Sequence, residues 1–277
     1  MSIKNTLKRG LRYIIKGVPN QITKVSVSCT SPSNVLKDKS IIITGGGRGL
    51  GYAMAKRLTE EGANVLISGR KLETLEKAAK EIGCQYLTLD VQKPETFKQF
   101  FIDAENKIGK INCLVNNAGI SLHEPSFTDV SIEQFNSQIN TNLRGSFFMA
   151  QEFVKYYRHN GLKHGNILFT TSETGTTVDN RPYGLTKAAL NSLTQGLAYT
   201  LIKEGIRVNA VAPGVTTSDM TGYQKDGNLY SPNGVTDRIY LPEEVAEIAC
   251  FLLSDSSHVL NGQILVCNEG KTINFRK

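Results

Sequence analysis

The stretch Ser40-Ile41-Ile42-Ile43-Thr44-Gly45-Gly46-Gly47-Arg48-Gly49-Leu50-Gly51 decides how this chain is read. Three consecutive β-branched residues predict a buried strand. The glycines predict a tight turn, and the amphipathic run 52–62 after them predicts a helix. Strand, glycine turn and helix in that order form a phosphate-cradling unit. Its glycines let the backbone approach a pyrophosphate, whose charge sits at the helix N-terminus. Glycine clusters also mark ordinary turns, so the unit needs support from the rest of the chain.

Outward from that unit the pattern alternates. Strand-like runs are predicted at 40–44, 64–68, 85–89, 111–115, 166–171, 207–211 and 263–266. Helix-like runs are predicted at 50–61, 72–82, 95–108, 131–158, 184–204 and 242–253. Continuously apolar strands separated by helices predict a parallel sheet covered on both faces. Right-handed crossovers make this a doubly wound, Rossmann-type α/β fold with seven strands, binding ligand beyond the carboxyl ends of the strands. It is expected as one domain over 38–277, preceded by a basic N-terminal extension over 1–37.

Composition agrees with a globular body: 40% of the 277 residues are hydrophobic and 21% charged. The five cysteines are odd in number and never closely paired, and the four histidines are scattered, so neither a disulfide framework nor a metal site is expected. A reducing compartment, the cytoplasm, fits this usage. The net charge of +7 is confined to the extension, where residues 1–37 carry seven basic side chains and no acidic one. The remaining 25 basic residues are balanced by 25 acidic ones, so the body lacks the excess of a nucleic-acid binder.

Chemistry-bearing residues cluster at the strand ends. The fourth strand runs into Asn116-Asn117-Ala118-Gly119. Asn140 and Asn142 lie inside a predicted long helix, where asparagine is locally unfavourable. Ser172 ends the fifth strand, with Thr171 as the competing hydroxyl. Tyr183 and Lys187, four apart on a helix, share one face. A phenol has a pKa of about 10 and serves as an acid–base catalyst near neutrality only when a nearby positive charge stabilises its anion. Lys187 is placed to supply that charge, and the Ser172 hydroxyl to hydrogen-bond a reacting oxygen. The sixth strand runs into Pro213-Gly214-Val215-Thr216-Thr217-Ser218.

Taken in order, these motifs over roughly residues 38–270 resemble the short-chain dehydrogenase/reductase family. The glycine spacing Thr44-Gly45-x-x-x-Gly49-x-Gly51, the Asn-Asn-Ala-Gly run, and the Ser172, Tyr183-x-x-x-Lys187 set carry the resemblance. It implies reversible hydride transfer between a nicotinamide cofactor and a carbonyl or secondary alcohol. In that scheme Tyr183 is the acid or base, Lys187 tunes it and holds the ribose, Ser172 orients the oxygen, and Asn142 maintains a proton relay. The cofactor would lie along Gly45, Gly47, Arg48, Gly49, Leu50 and Gly51, then Asp90 and Val91 beside the adenine. Asn117, Ala118 and Gly119 would line the middle of the cleft. Pro213, Gly214, Val215 and Ser218 would line its nicotinamide end. Gly69 occupies the position where an acidic residue would select NAD, and Arg70 follows it. With Arg48, this charge favours NADP over NAD. Beta-ketoacyl carrier-protein reductases and sugar or polyol dehydrogenases are the nearest general resemblances. A nucleotide-sensing protein without turnover is the alternative from another class.

Three departures accompany the resemblance. The segment between Ser172 and Tyr183 is shorter than the family's spacing by about two residues, and it carries Glu173, Asp179 and Arg181. These charges fit either a polar or anionic substrate or a solvated loop. Residues 219–240, where the family keeps a mobile lid, are short and polar and imply an open or shallow pocket. The family's closing Asp-Gly-Gly is replaced by Asn268-Glu269-Gly270, which touches on the assembly, expected as a homodimer or homotetramer. In the extension, Ile3, Leu7, Leu11, Ile14 and Ile15 fall on one helical face with Lys4, Lys8, Arg9, Arg12 and Lys16 around it. Three readings stand for residues 1–17: contact with an anionic membrane, a mitochondrial transit peptide, or docking on the protein's own surface with residues 24–29 as an edge strand.

Overall fold

A computed structural model describes residues 22–25, 32–218, 221–222 and 227–273. The helix expected in 1–17 lies outside the described residues, as does most of the edge strand expected at 24–29. Seven strands form one sheet: β1 Ser40–Thr44, β2 Asn64–Gly69, β3 Gln85–Thr88, β4 Cys113–Asn116, β5 Gly165–Thr170, β6 Ile206–Pro213 and β7 Ile264–Cys267. Their order is β3-β2-β1-β4-β5-β6-β7, and every pairing is parallel. The chain winds outward from β1 to β3, then returns to place β4 on the other side of β1. That reversal opens a crevice between the ends of β1 and β4.

Period-two alternation explains why β1 sits in the centre. Ile42 faces one core, with Phe97, Phe101 and Phe153, while Ile41 and Ile43 face the other, with Met54, Leu58 and Leu253. All three isoleucines are fully buried, each contributing about 1.5–3 kcal/mol relative to exposure. Helices α1 Gly49–Glu60, α2 Leu72–Ile82 and α7 Pro242–Leu253 cover the Ile41 face. Helices α3 Phe97–Ile108, α5 Ser146–His159 and α6 Pro182–Leu201 cover the Ile42 face.

The helix expected over 131–158 is not continuous. A short helix α4 Ile132–Gln138, capped by Ser131 and Gln134, leads into a π-helical segment Ile139–Gly145 before α5. Gly145 presses against β-strand-end neighbours so closely that a Cβ there would lie 2.6 Å from the Val91 carbonyl oxygen. The widened turn accommodates this contact and carries Asn142 inward, in keeping with the association of π segments with functional sites. No described helix is long and apolar enough to cross a membrane.

The last part of the extension is integrated into the body. Leu36 is fully buried in the Ile41-face core, and its N–H donates to the Glu61 carbonyl at 3.1 Å. Further upstream, the Thr23 carbonyl accepts from Leu229 N–H at 3.4 Å. Glu61 is the junction. Its carboxylate accepts from Ser33 N–H at 3.0 Å and Val35 N–H at 3.4 Å, and pairs with Arg57 at 2.6 Å. Burial opposes ionisation of Glu61, but these donors outweigh it and hold the carboxyl below the usual range. Arg57 also reaches Glu247 on α7 at 2.6 Å, so one guanidinium joins α1, α7 and the incoming chain. Arg57→Ala would leave Glu61 buried without its cation. It is expected to lower the unfolding free energy by about 3–5 kcal/mol, read as a shift in the midpoint of denaturant unfolding.

Candidate active site

The glycine turn is held from both sides. Gly45 adopts a left-handed φ of 67°, and a Cβ on Gly51 would lie 2.3 Å from the Gly45 carbonyl oxygen. Only glycine fits such an approach. Across the crevice, Asn117 N–H and Ala118 N–H each donate to Thr44 Oγ1 at 3.0 Å. The Asn117 side-chain amide donates to the carbonyls of Thr44, at 3.0 Å, and Gly45, at 3.2 Å. The Asn-Asn-Ala-Gly run thus braces the glycine turn directly. Helix α1 begins at Gly49 with no side-chain cap and no acidic residue in its first turn, which leaves a site suited to an anion.

A cleft of about 640 Å³ runs from this turn across the ends of the strands. Nearly every site residue expected from the sequence lines it. Gly45, Gly47, Arg48, Gly49, Leu50 and Gly51 form one end together with Arg70. Asp90, Val91, Asn117, Ala118 and Gly119 line the middle, and Pro213, Gly214, Ser218, Ser172, Tyr183 and Lys187 the far end. Val215 and Asn142 are not in the wall. The Val215 carbonyl accepts from Tyr240 N–H at 3.0 Å. Sequence reasoning missed Ser68, Lys71, Thr74 and Gln92, which also line the cleft. Ser68 Oγ is buried without a hydrogen-bond partner in the structure. Its place at the end of β2, beside Gly69 and Arg70, was the signal available.

The four expected catalytic residues come together from three elements: Asn142 from the π segment, Ser172 from the turn after β5, and Tyr183 and Lys187 from α6. Lys187 is buried; its Nζ donates to the Thr170 carbonyl at 2.7 Å and lies 5.5 Å from the centre of the Tyr183 ring. Among the described residues no carboxylate pairs with it, and burial pulls its pKa down to about 8. Burial also pushes the Tyr183 phenol up, while a hydrogen bond with Ser172 acts in the opposite direction. Desolvation therefore outweighs the Ser172 hydrogen bond at this phenol. Thr171 and Ser172 differ in their partners. Thr171 Oγ1 donates to the Val211 carbonyl at 3.2 Å, whereas Ser172 faces Tyr183.

Asn142 is fully buried behind Gly119. Its Oδ1 accepts from Ile120 N–H at 2.8 Å, and its Nδ2 donates to the Ile120 carbonyl at 2.9 Å and to Thr186 Oγ1 at 3.2 Å. A Cβ on Gly119 would lie 3.4 Å from Asn142 Oδ1 and 3.5 Å from Lys187 Nζ. Asn142 therefore joins the strand-end segment, the π turn and α6 just behind the lysine. The charges between Ser172 and Tyr183 are paired within the protein. Arg181 meets Asp179 at 2.8 Å, and Glu173 meets Lys271 at 2.7 Å.

These groups suit a nicotinamide dinucleotide: a braced glycine turn at an uncapped helix start, a long cleft, and a Ser-Tyr-Lys cluster at its far end. Known proteins agree. Residues 45–272 match the family profile described as enoyl-(acyl carrier protein) reductase. An uncharacterized oxidoreductase of Staphylococcus aureus (strain USA300) is 30% identical over 236 residues, covering 84% of this chain and 98% of that protein. The crystal structure of a short chain dehydrogenase from Bacillus anthracis superposes with a TM-score of 0.77 at 31% identity, covering 87% of this chain and 99% of that one. A short-chain type dehydrogenase/reductase from Mycobacterium marinum gives a TM-score of 0.78 at 30% identity, covering 86% and 97%. With its parallel seven-stranded sheet and this set of relatives, the chain belongs to the short-chain dehydrogenase/reductase family of oxidoreductases.

Proposed function

We propose that the protein is an NADP(H)-dependent ketoreductase acting on a small carbonyl or secondary-alcohol substrate, working in the cytoplasm as a homodimer or homotetramer. The observation that carries this reading is the buried Lys187 ammonium 5.5 Å from the Tyr183 ring, beside Ser172, at the end of a cleft whose other end holds Arg48 and Arg70. The nicotinamide cofactor, when bound, supplies or accepts the hydride. The glycine turn and the start of α1 hold its pyrophosphate by backbone N–H groups. Arg48 and Arg70, both exposed at the rim, hold the 2′-phosphate through charge-assisted hydrogen bonds.

During carbonyl reduction Tyr183 Oη donates a proton to the substrate oxygen, and Ser172 Oγ donates a hydrogen bond to the same atom. The tyrosinate left behind is stabilised by Lys187, whose low-dielectric surroundings strengthen that attraction. Asn142 and Thr186 keep the lysine's surroundings rigid. Alcohol oxidation runs the same proton transfer in reverse.

Three outcomes test this function. Tyr183→Phe is expected to lower kcat by about 10²–10⁴-fold with NADPH affinity nearly unchanged, because the ring still packs; parental turnover of a ketone by this variant would refute the mechanism. For the cofactor, a Cβ at Gly69 would meet Leu75 alone among the described residues, at an ordinary contact distance of 3.6 Å, so a substitution starts without a clash there. Gly69→Asp combined with Arg70→Ala is expected to shift the ratio of specificity constants from NADPH toward NADH, and equal constants in the parent would argue against the assignment. The third outcome concerns pH. Reduction requires a protonated Tyr183 and a charged Lys187, so kcat/KM should fall as pH rises through about 8, where Lys187 gives up its proton. A pH–rate profile flat from 7 to 9 would contradict the role given to the lysine.

A further inference from the structure

The C-terminal residues Asn268 and Lys271 stand outside the chemistry above, yet both side chains bond to the residue that follows Ser172. Asn268 Nδ2 donates to Glu173 Oε2 at 3.0 Å, and Lys271 Nζ donates to Glu173 Oε1 at 2.7 Å. Asn268 and Glu173 are both buried, and Glu173 directly follows Ser172.

Ser172 is thus held between two anchored neighbours. On one side Thr171 is fixed to β6, with its N–H 2.8 Å from the Val211 carbonyl oxygen. On the other, Glu173 begins a 3-10 turn, Glu173–Thr176. The turn is closed by Gly175 N–H donating to the Ser172 carbonyl at 3.0 Å and by Thr176 Oγ1 donating to the Glu173 carbonyl at 2.7 Å. It places Thr174 so that its N–H, at 3.2 Å, and its Oγ1, at 3.0 Å, both donate to Ser172 Oγ.

A serine hydroxyl has one proton to donate and two lone pairs to accept. With Thr174 occupying both lone pairs, the Ser172 proton points away from the turn, toward Tyr183 and the place of the reacting oxygen. Charge matters as well. A carboxylate one residue from Ser172 disfavours negative charge developing on that oxygen, and Lys271 offsets it.

We propose that Glu173, gripped by Asn268 and Lys271, is a positioning residue through which the C-terminal segment sets the Thr174 turn and aims the Ser172 hydroxyl as a donor. This rests on Ser172 binding the reacting oxygen, as proposed above.

Amide hydrogen exchange on the full-length, cofactor-free protein reads the grip directly. In Lys271→Met the amides of Thr174 and Gly175 should exchange about tenfold faster or more, with β5 and β6 unchanged, and Lys271→Arg should restore parental protection. Unchanged exchange at those two amides overturns the proposal. With NADPH and ethyl acetoacetate as the probe pair, Lys271→Met and Thr174→Val should each lower kcat about tenfold with KM for NADPH unchanged. The double variant should lose about tenfold and not a hundredfold, because both changes act through Ser172. A multiplicative loss, or an unchanged kcat in Lys271→Met, overturns it. Parental turnover by Tyr183→Phe has a different meaning: it overturns the mechanism of the site and with it the aim assigned to Ser172, whereas the exchange result stands apart from turnover.

Discussion

Four hydrogen bonds between Thr44, Gly45 and the Asn117–Ala118 pair hold the ends of β1 and β4 together. They act where the crossovers part and the sheet offers no further ladder bonds. Each such bond contributes about 0.5–1.5 kcal/mol net, but their geometric effect is larger than their energy. They fix the glycine turn relative to the strand end that leads into Gly119, and so set the width of the cleft. Gly119 in turn lies against both Asn142 and Lys187. A change in the brace would therefore be felt at the catalytic end as well as at the phosphate end.

The electrostatics of the far end follow from burial. Lys187 has the Thr170 carbonyl as its acceptor and, among the described residues, no carboxylate beside it. A paired lysine would be charged throughout the neutral range and would have its field cancelled by its partner. An unpaired one is costlier to bury and titrates lower, and here its Nζ lies 5.5 Å from the centre of the Tyr183 ring. The phenol, itself pushed up by burial, is suited to remain protonated until a proton is called for. The site thus keeps an acid and a cation in the same dry corner.

Elsewhere the charged residues are matched within the protein. Arg181 is held by Asp179 just ahead of α6, and the Asp179 side chain lies over Gly184, where a Cβ would come within 2.5 Å. Arg238 lies between Glu244 and Glu269, at 2.8 Å from each, tying the segment that returns to α7 to the C-terminal residues. The closing Asn268-Glu269-Gly270 therefore serves two walls of the cleft: Asn268 holds the Ser172 side, and Glu269 holds the returning segment. Its departure from the family's Asp-Gly-Gly has a structural use inside this one chain.

The sequence alone determined the alternation of strands and helices, the buried isoleucine strand, the glycine turn, and the Tyr183–Lys187 face. These are properties of periodicity and short spacing, and the backbone expresses them locally wherever the chain folds. Only the tertiary structure decided that the 131–158 helix is broken by a π segment, at whose end Gly145 packs closely against Val91, from another part of the chain. It alone showed that the Thr171 hydroxyl is committed to Val211 on the neighbouring strand. It also decided that Glu173 is paired, because its lysine lies 98 residues further along the chain. Sheet order and register bring such residues together, and no local pattern encodes which distant side chain will arrive.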